Sequence, residues 1–179
     1  MKNLLKQIFS FILPITVLVF VPLWIEKDWT IRVNFSLFAG SILVLIGLMI
    51  MVVCISAFIR IGRGTLAPWS PTKKLVITGL YRYVRNPMIL GVLIALIGEA
   101  LGLRSLNILI WAASFFIINT IYFIVYEEPN LEDRFGNEYV DYKKHVSRWL
   151  PKRKPYDQKD DGSKQVGNEL SIVDGRIIK

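Results

Sequence analysis

Cysteine and histidine are almost absent from this chain, because among its 179 residues only Cys54 and His145 represent them. One cysteine excludes an internal disulfide and any multi-cysteine metal site. One histidine excludes a histidine-rich metal centre. Nucleophilic triads and metal catalysis on histidine or cysteine ligands are therefore poorly supported. The sequence predicts a protein that holds no metal.

Acidic residues are scarce over the first 126 residues, which hold 3 acidic and 11 basic side chains and carry all of the net charge of +8. The same part contains four stretches without a charged residue, Gln7–Ile25, Val33–Ile59, Asn86–Gly98 and Ser105–Tyr126. A spanning helix needs about 20 mostly apolar residues. The third stretch reaches that range only by running past Glu99 to about Leu103.

The stretches predict four transmembrane helices, at about residues 4–25, 34–59, 87–103 and 105–127. A short or re-entrant hairpin paired with the fourth helix is the alternative for the third. Pro14 and Pro22 predict a kinked or broken first helix that stays in the protein. The sequence before Ala39 has no Ala-x-Ala cleavage site.

The orientation of the spans follows from the loop 60–86, which holds six basic and no acidic residues. Short basic loops stay in the cytosol, so this loop and both termini are expected on the cytosolic side of an integral membrane protein. Because the charges flank spans, topology explains them better than nucleic-acid binding. No alternation of strands and helices is present, which excludes a soluble doubly wound nucleotide-binding domain.

After the fourth span, apolar residues recur on one helical face over residues 130–150. They are Leu131, Phe135, Tyr139, Tyr142, Val146 and Trp149. The predicted fold is an all-α membrane domain, residues 1–155, of about four transmembrane helices with an irregular cytosolic loop and this amphipathic helix on the cytosolic side. Residues 156–179 are polar and predict a mobile tail.

Several polar side chains are expected near one cytosolic membrane face. They are Arg82, Arg85, Asn86, Glu127, Glu128, Tyr139 and Tyr142. Arginine binds carboxylates in a bidentate manner, and glutamate accepts from hydroxyls and amines. Together they suit a zwitterionic cofactor or a lipid headgroup, although topological charge and a helix-end ion pair would give the same pattern.

Two motifs resemble one known family. Gly79-Leu-Tyr-Arg-Tyr-Val-Arg-Asn-Pro-Met-Ile-Leu-Gly91 is similar to the Gly-x-Tyr-x-x-x-Arg-His-Pro-x-Tyr-x-Gly motif of isoprenylcysteine carboxyl methyltransferases and related phospholipid methyltransferases. Glu127-Glu-x-x-Leu131-x-x-x-Phe135-Gly136-x-Glu138-Tyr139-x-x-Tyr142 resembles the C-terminal signature of that family. The resemblance covers about residues 60–155.

The resemblance implies a membrane-embedded enzyme that uses S-adenosylmethionine from the cytosolic side. The residues it implies for cofactor binding are Tyr81, Arg85, Asn86, Pro87, Gly91, Glu127, Glu128, Tyr139 and Tyr142. Arg85 and Glu127 are the candidate catalytic residues, with Arg85 on the cofactor carboxylate or an anionic substrate. The chain departs from the family at Asn86, which replaces histidine, and at Ile89, which replaces tyrosine.

The scarcity of histidine favours a carboxylate acceptor, and the resemblance implies carboxyl O-methylation of a lipophilic, isoprenylcysteine-like acceptor dissolved in the membrane. A carboxylate is ionised at neutral pH and needs no general base, whereas an amine must first lose a proton, which a glutamate could assist. Phospholipid amine N-methylation is therefore the alternative. A membrane NADPH-dependent sterol-type reductase and a non-enzymatic membrane adaptor or small transporter are further alternatives.

Overall fold

The computed structural model describes residues 13–27, 33–57, 60 and 75–157, which form helices joined by irregular segments and contain no strand. Their helices are α1 Leu13–Ile25, α2 Phe35–Ala57, α3 Pro87–Leu103, α4 Leu106–Phe135 and α5 Asn137–His145. A short 3-10 turn, Gly79–Arg82, precedes α3. The first part of predicted span one, about half of the predicted cytosolic loop and nearly all of the predicted tail lie outside the described residues.

Two of the helices, α2 and α4, are long and apolar enough to cross a membrane, with mean hydropathies of 2.8 and 2.2. Only 22% and 17% of their apolar windows are buried against other parts of the protein. Large apolar side chains such as Met49 and Val125, at 67% and 70% exposure, face outward. Because a core helix of a soluble protein would be mostly buried, these faces fit contact with lipid. The described part of α1 and all of α3 are shorter apolar helices.

The most extensive helix–helix contact joins α2 and α3, and glycines make it possible. A Cβ atom at Gly40 would lie 2.5 Å from the Gly98 carbonyl oxygen, and one at Gly91 would lie 2.9 Å from the Gly47 carbonyl oxygen. The two backbones therefore run antiparallel and touch directly. Small residues allow this close approach between helices in a membrane, where packing replaces the hydrophobic effect as the main attraction.

Among the described helices, α1 and α4 each contain a π turn, and in both the turn stops immediately before a proline. In α1 the Val21 N–H bonds to the Thr16 carbonyl, with Pro22 next in sequence. In α4 the Glu128 N–H bonds to the Phe123 carbonyl, with Pro129 next. Proline lacks an N–H and crowds the carbonyl four residues earlier, so the helix widens instead of breaking. The predicted disturbance of the first helix at Pro22 takes this form.

The π turn in α1 leaves the Val17 carbonyl facing Pro22, which cannot donate to it. The indole Nε1 of Trp111 on α4 donates to this carbonyl at 3.2 Å. The Val17 carbonyl, which has no donor at Pro22, thus accepts a hydrogen bond from another helix. This hydrogen bond holds α1 against α4 beside the apolar core of Leu18, Val92 and Leu96.

The predicted single amphipathic helix over residues 130–150 differs from the structure. Its first part continues α4 to Phe135, Gly136 then interrupts the helix with a φ of +54°, and α5 ends at His145. Glycine adopts positive φ without the steric cost that other residues meet. Tyr139, Tyr142 and Val146 still share the predicted face, because all three are buried against Ile77 in one cluster.

The chain after α5 returns along the loop that precedes α3. The Arg85 N–H donates to the Ser147 carbonyl at 2.9 Å, and the Lys152 N–H donates to the Tyr83 carbonyl at 3.0 Å. The Trp149 ring meanwhile packs on Phe116 and Phe123 of α4. Residues 146–156 therefore hold the start of α3 against the C-terminal half of α4.

Candidate functional site

A cavity of about 470 Å³ lies where α1, α3 and α4 meet the loop before α3 and helix α5. Its inner wall is apolar and includes Val17, Val92 and Phe115. Six of the sequence-predicted residues line its other part: Tyr81, Arg85, Asn86, Glu127, Tyr139 and Tyr142. The fold thus brings residues that are about 60 positions apart in sequence into one site with a polar part and an apolar part.

Arg85 is the central cation of the polar part, and its side chain is only 9% exposed. Its Nη1 lies 3.0 Å from Glu128 Oε1 and donates to the Tyr139 hydroxyl at 3.4 Å. Its Nε is buried and has no hydrogen-bond partner among the described residues. A buried donor without a partner costs about 1–3 kcal/mol, so this group is suited to an anionic ligand.

Asn86 occupies the N-cap position of α3, but its side chain makes no capping hydrogen bond. The amide therefore stays available for a ligand in the cavity that it lines. Met88 and Ile89 of the first helical turn line the same cavity. The N-terminus of α3, with its partial positive charge, adds to the preference of this part for a negative group.

Glu127 faces the cavity from the π turn of α4. The Tyr122 hydroxyl donates to its Oε2 at 3.2 Å. A π turn changes which residues share a helical face, and such turns are frequent at functional sites. Here it presents a carboxylate to the same cavity as Arg85, so the site offers opposite charges to one ligand.

Tyr139 and Tyr142 of α5 are both 3% exposed and close one side of the cavity. Burial raises the pKa of both hydroxyls. They therefore stay protonated near neutral pH and can donate hydrogen bonds. The Tyr142 hydroxyl already donates to the Tyr81 carbonyl at 2.6 Å, which ties α5 to the turn before α3.

Glu128 lies behind the cavity wall and is not among the residues that line it. Its carboxylate contacts three cationic side chains, those of Arg85, Lys143 and Arg148. The resemblance paired Glu127 and Glu128 as cofactor residues, whereas the structure separates them. Glu127 faces the cavity and Glu128 faces the arginines.

Pro87 and Gly91 also lie outside the lining of this cavity. Pro87 is buried at the first position of α3, where its fixed φ and missing N–H suit a helix start. Gly91 faces α2, where a Cβ would meet Gly47, Ile50 and Met51 within 3.1 Å. The local geometry gives both residues a role in building α3.

Sequence reasoning missed a row of polar residues on α4 that line the cavity. They are Asn119, Tyr122, Tyr126, Asn130 and Arg134. The first four are spaced 3, 4 and 4 residues apart, which is a helical face. That spacing could have identified the polar face from the sequence. It was missed because the spans were chosen only for lacking charged residues, a criterion that ignores uncharged polar side chains.

The arrangement can hold a ligand that carries a negative group, hydrogen-bonding groups and a positive group. Arg85 and the N-terminus of α3 suit the negative group, and Glu127 suits the positive group or a hydroxyl. The described residues contain no cluster of three side chains suited to hold a metal ion. A zwitterionic cofactor with an amino-acid part therefore fits the donors and acceptors present.

Comparison with known proteins identifies relatives. The model of the phospholipid methyltransferase family matches residues 35–138, which is more than half of the chain. Methanethiol S-methyltransferase 1 from Bradyrhizobium diazoefficiens is 38% identical over 78 residues, which cover 42% of this chain. The matched part spans only 25% of the length of that relative. No solved structure matches this chain.

Proposed function

This chain belongs to the phospholipid methyltransferase family, and we propose that it is a membrane methyltransferase that uses S-adenosylmethionine. The observation that carries the proposal is the buried Arg85, whose Nε has no partner in the described part of the chain and which shares a cavity with Glu127. A carboxylate beside Arg85 would satisfy this donor. The amino-acid part of S-adenosylmethionine carries such a group.

The residues around the cavity would divide the cofactor between them. Arg85 would bind its carboxylate, assisted by the N-terminus of α3 and the Asn86 amide. Glu127 would accept from the cofactor's amine or hydroxyl groups or lie near its sulfonium charge. Tyr139 and Tyr142 would cover the bound molecule and keep water away from it.

Bound S-adenosylmethionine supplies a methyl group that its sulfonium already activates. The protein therefore needs mainly to place the acceptor in line with that methyl group and to keep the site dry. Val17, Val92 and Phe115 form the apolar wall that would receive the hydrophobic part of an acceptor. Arg85 and Glu127 act by orienting the charged groups, so neither has to form a covalent bond.

The proposed acceptor is a lipophilic carboxylate that resembles isoprenylcysteine. The carboxylate is ionised at neutral pH, so its methylation needs no base, and no histidine lines the cavity among the described residues. A thiol acceptor is the second candidate, because the name of the bacterial relative specifies methanethiol. A thiol must lose its proton before it attacks, and Glu127 is the carboxylate that would receive it.

The proposed membrane arrangement has four spans in one methyltransferase domain, residues 1–155, with both termini and the cavity on the cytosolic side. The 17 residues of α3 correspond to about 25 Å of helix, which is close to the hydrocarbon thickness of a thin bilayer. The basic residues of the loop before α3 support this orientation.

The test uses membranes that contain the protein and S-adenosylmethionine labelled in its methyl group. Carboxyl methylation predicts label in a base-labile ester, thiol methylation predicts a base-stable volatile thioether when methanethiol is added, and amine methylation predicts label in phospholipid headgroups. Arg85→Ala should abolish transfer to any acceptor. Unchanged cofactor affinity in both Arg85→Ala and Glu127→Gln would refute the site assignment.

A further inference from the structure

The carboxylate of Glu128 is saturated by protein contacts. Its Oε1 lies 2.6 Å from Arg148 Nε and 3.0 Å from Arg85 Nη1, and its Oε2 lies 3.0 Å from Arg148 Nη2 and 3.3 Å from Lys143 Nζ. A carboxylate has about four lone-pair sites. The side chain is 3% exposed, so Glu128 has no acceptor left to offer a ligand.

These contacts fix the orientation of Arg85. Glu128 and the Tyr139 hydroxyl both hold Nη1, and the guanidinium is planar and rigid. Once Nη1 is held, the direction of the Nε–H is determined as well. The backbone of Arg85 is held separately by the Ser147 carbonyl, one residue before the arginine that binds Glu128 in a bidentate manner.

The side chains around Glu128 also carry an excess of positive charge. Arg85, Lys143 and Arg148 surround it, and Glu132 pairs with Lys143 at 2.6 Å. Three positive charges therefore face two negative ones, and Arg85 is the cation of this group that lines the cavity. An anion beside Arg85 would balance the cluster.

We propose that Glu128, held by Arg148, is a positioning residue that aims Arg85 at the carboxylate of the cofactor and does not itself touch the cofactor. This inference rests on the proposed function. It differs from the role of a second cofactor-binding glutamate, which the family resemblance implied for Glu128. Arg148, to which the sequence interpretation gave no role, would hold Glu128 in the position from which it orients Arg85.

The test compares two nucleosides that differ in the group Arg85 would bind. S-adenosylhomocysteine carries the amino-acid carboxylate, and 5′-methylthioadenosine lacks the whole amino-acid part. Glu128→Gln should weaken binding of S-adenosylhomocysteine about tenfold or more, as for loss of a charge-assisted hydrogen bond. The affinity for 5′-methylthioadenosine should change less than about twofold, because the effect runs through Arg85.

Arg148→Lys is the second variant, because removal of the buried negative charge in Glu128→Gln can unfold the protein. It keeps the charge beside Glu128 but loses the bidentate geometry, and it should show the same selective loss to a smaller extent. Lys144→Gln is the matched control on α5, where Lys144 is exposed, and should change neither affinity. Thermal unfolding of each variant in detergent reports folding separately.

The outcomes separate the two claims. Equal weakening of both nucleosides in Glu128→Gln and Arg148→Lys, or no weakening of either, would overturn the positioning role while leaving the proposed function in place. Wild-type protein that binds neither nucleoside would overturn the proposed function and the positioning role with it. Selective loss of S-adenosylhomocysteine affinity supports both.

Discussion

Arg85 shows how one side chain can carry the binding selectivity of a site. Arg85→Lys keeps a positive charge but removes the planar fork and the Nε donor. We expect the affinity for S-adenosylhomocysteine to fall about tenfold, measured by isothermal titration in detergent. Arg82→Lys is the matched control, because Arg82 pairs with Asp157 and the Tyr156 carbonyl outside the cavity. Equal effects of the two substitutions would contradict the assignment of Arg85.

The hydroxyl of Tyr122 gives a second prediction at a residue that sequence reasoning missed. Tyr122→Phe removes the donor to Glu127, which lies 3.2 Å away. We expect kcat/KM for S-adenosylmethionine to fall about three- to tenfold, because Glu127 loses one charge-assisted hydrogen bond that orients it. Ser114→Ala is the control, since the Ser114 hydroxyl bonds only within α4 to the Ile110 carbonyl. A Tyr122→Phe enzyme with wild-type kinetics would show that the hydroxyl does not orient Glu127.

The sequence predicted most of the polar residues that meet in the cavity but could not separate two neighbours. Arg85 and Asn86 followed from the loop and the family motif, and Tyr139 and Tyr142 followed from a helical face. Glu127 and Glu128 are adjacent, and adjacent residues of a helix point about 100° apart. Which of them faces the cavity depends on the π turn before Pro129, a tertiary detail that periodicity does not record.

At the scale of the helices, close packing of α2 on α3 decides what Gly91 does. Gly91→Ala places a Cβ 2.9 Å from the Gly47 carbonyl, and overpacking of this kind costs about 1–3 kcal/mol. We expect a lower unfolding temperature in detergent but unchanged nucleoside affinity at low temperature. Reduced affinity without reduced stability would instead favour the cofactor role that the resemblance implied.

Gly102→Ala is the matched control on the same helix. Its Cβ would meet its nearest neighbour, Leu37 Cδ1, at 3.7 Å, which is ordinary van der Waals contact. Alanine is also the better helix former by about 1 kcal/mol. The unfolding temperature of this variant should therefore stay at or slightly above that of the wild type.

The sequence predicted the helices better than their contacts, and the reason is physical. Absence of charge over about 20 residues is a strong signal for a membrane helix, and the two helices long and apolar enough to cross a membrane, α2 and α4, each begin one residue after the start of a predicted span. Direct backbone contact at Gly40 and Gly98 depends on which residues face each other across two chain segments. Hydropathy along one segment contains no information about that pairing.

Among the described residues, contacts between charged or hydroxyl-bearing side chains of different elements gather at the two ends of the helical bundle. At one end the Ser105 hydroxyl bonds to Glu26, and Arg104 Nε bonds to the Ser36 hydroxyl at 3.0 Å. These contacts join the end of α1, the start of α2 and the turn between α3 and α4. The other end holds Glu128 and its cations. Apolar helix surface separates the ends, as expected for a protein that crosses a bilayer.

This separation gives a test of the proposed orientation. Lys27 follows α1 at the Glu26–Ser105 end, and Lys154 follows the chain past α5 at the other end; both are exposed. In sealed vesicles that keep the cytosolic side inside, a membrane-impermeant maleimide should label Lys27→Cys and leave Lys154→Cys unlabelled until detergent is added. The wild type should not react, because Cys54 is buried at 1% exposure. Lys154 lies on the same side of the protein as the cavity, because the nearby Tyr156 N–H bonds at 2.9 Å to the carbonyl of Arg82, three residues before Arg85. Labelling of Lys154→Cys before detergent would therefore place the cavity on the opposite side of the membrane.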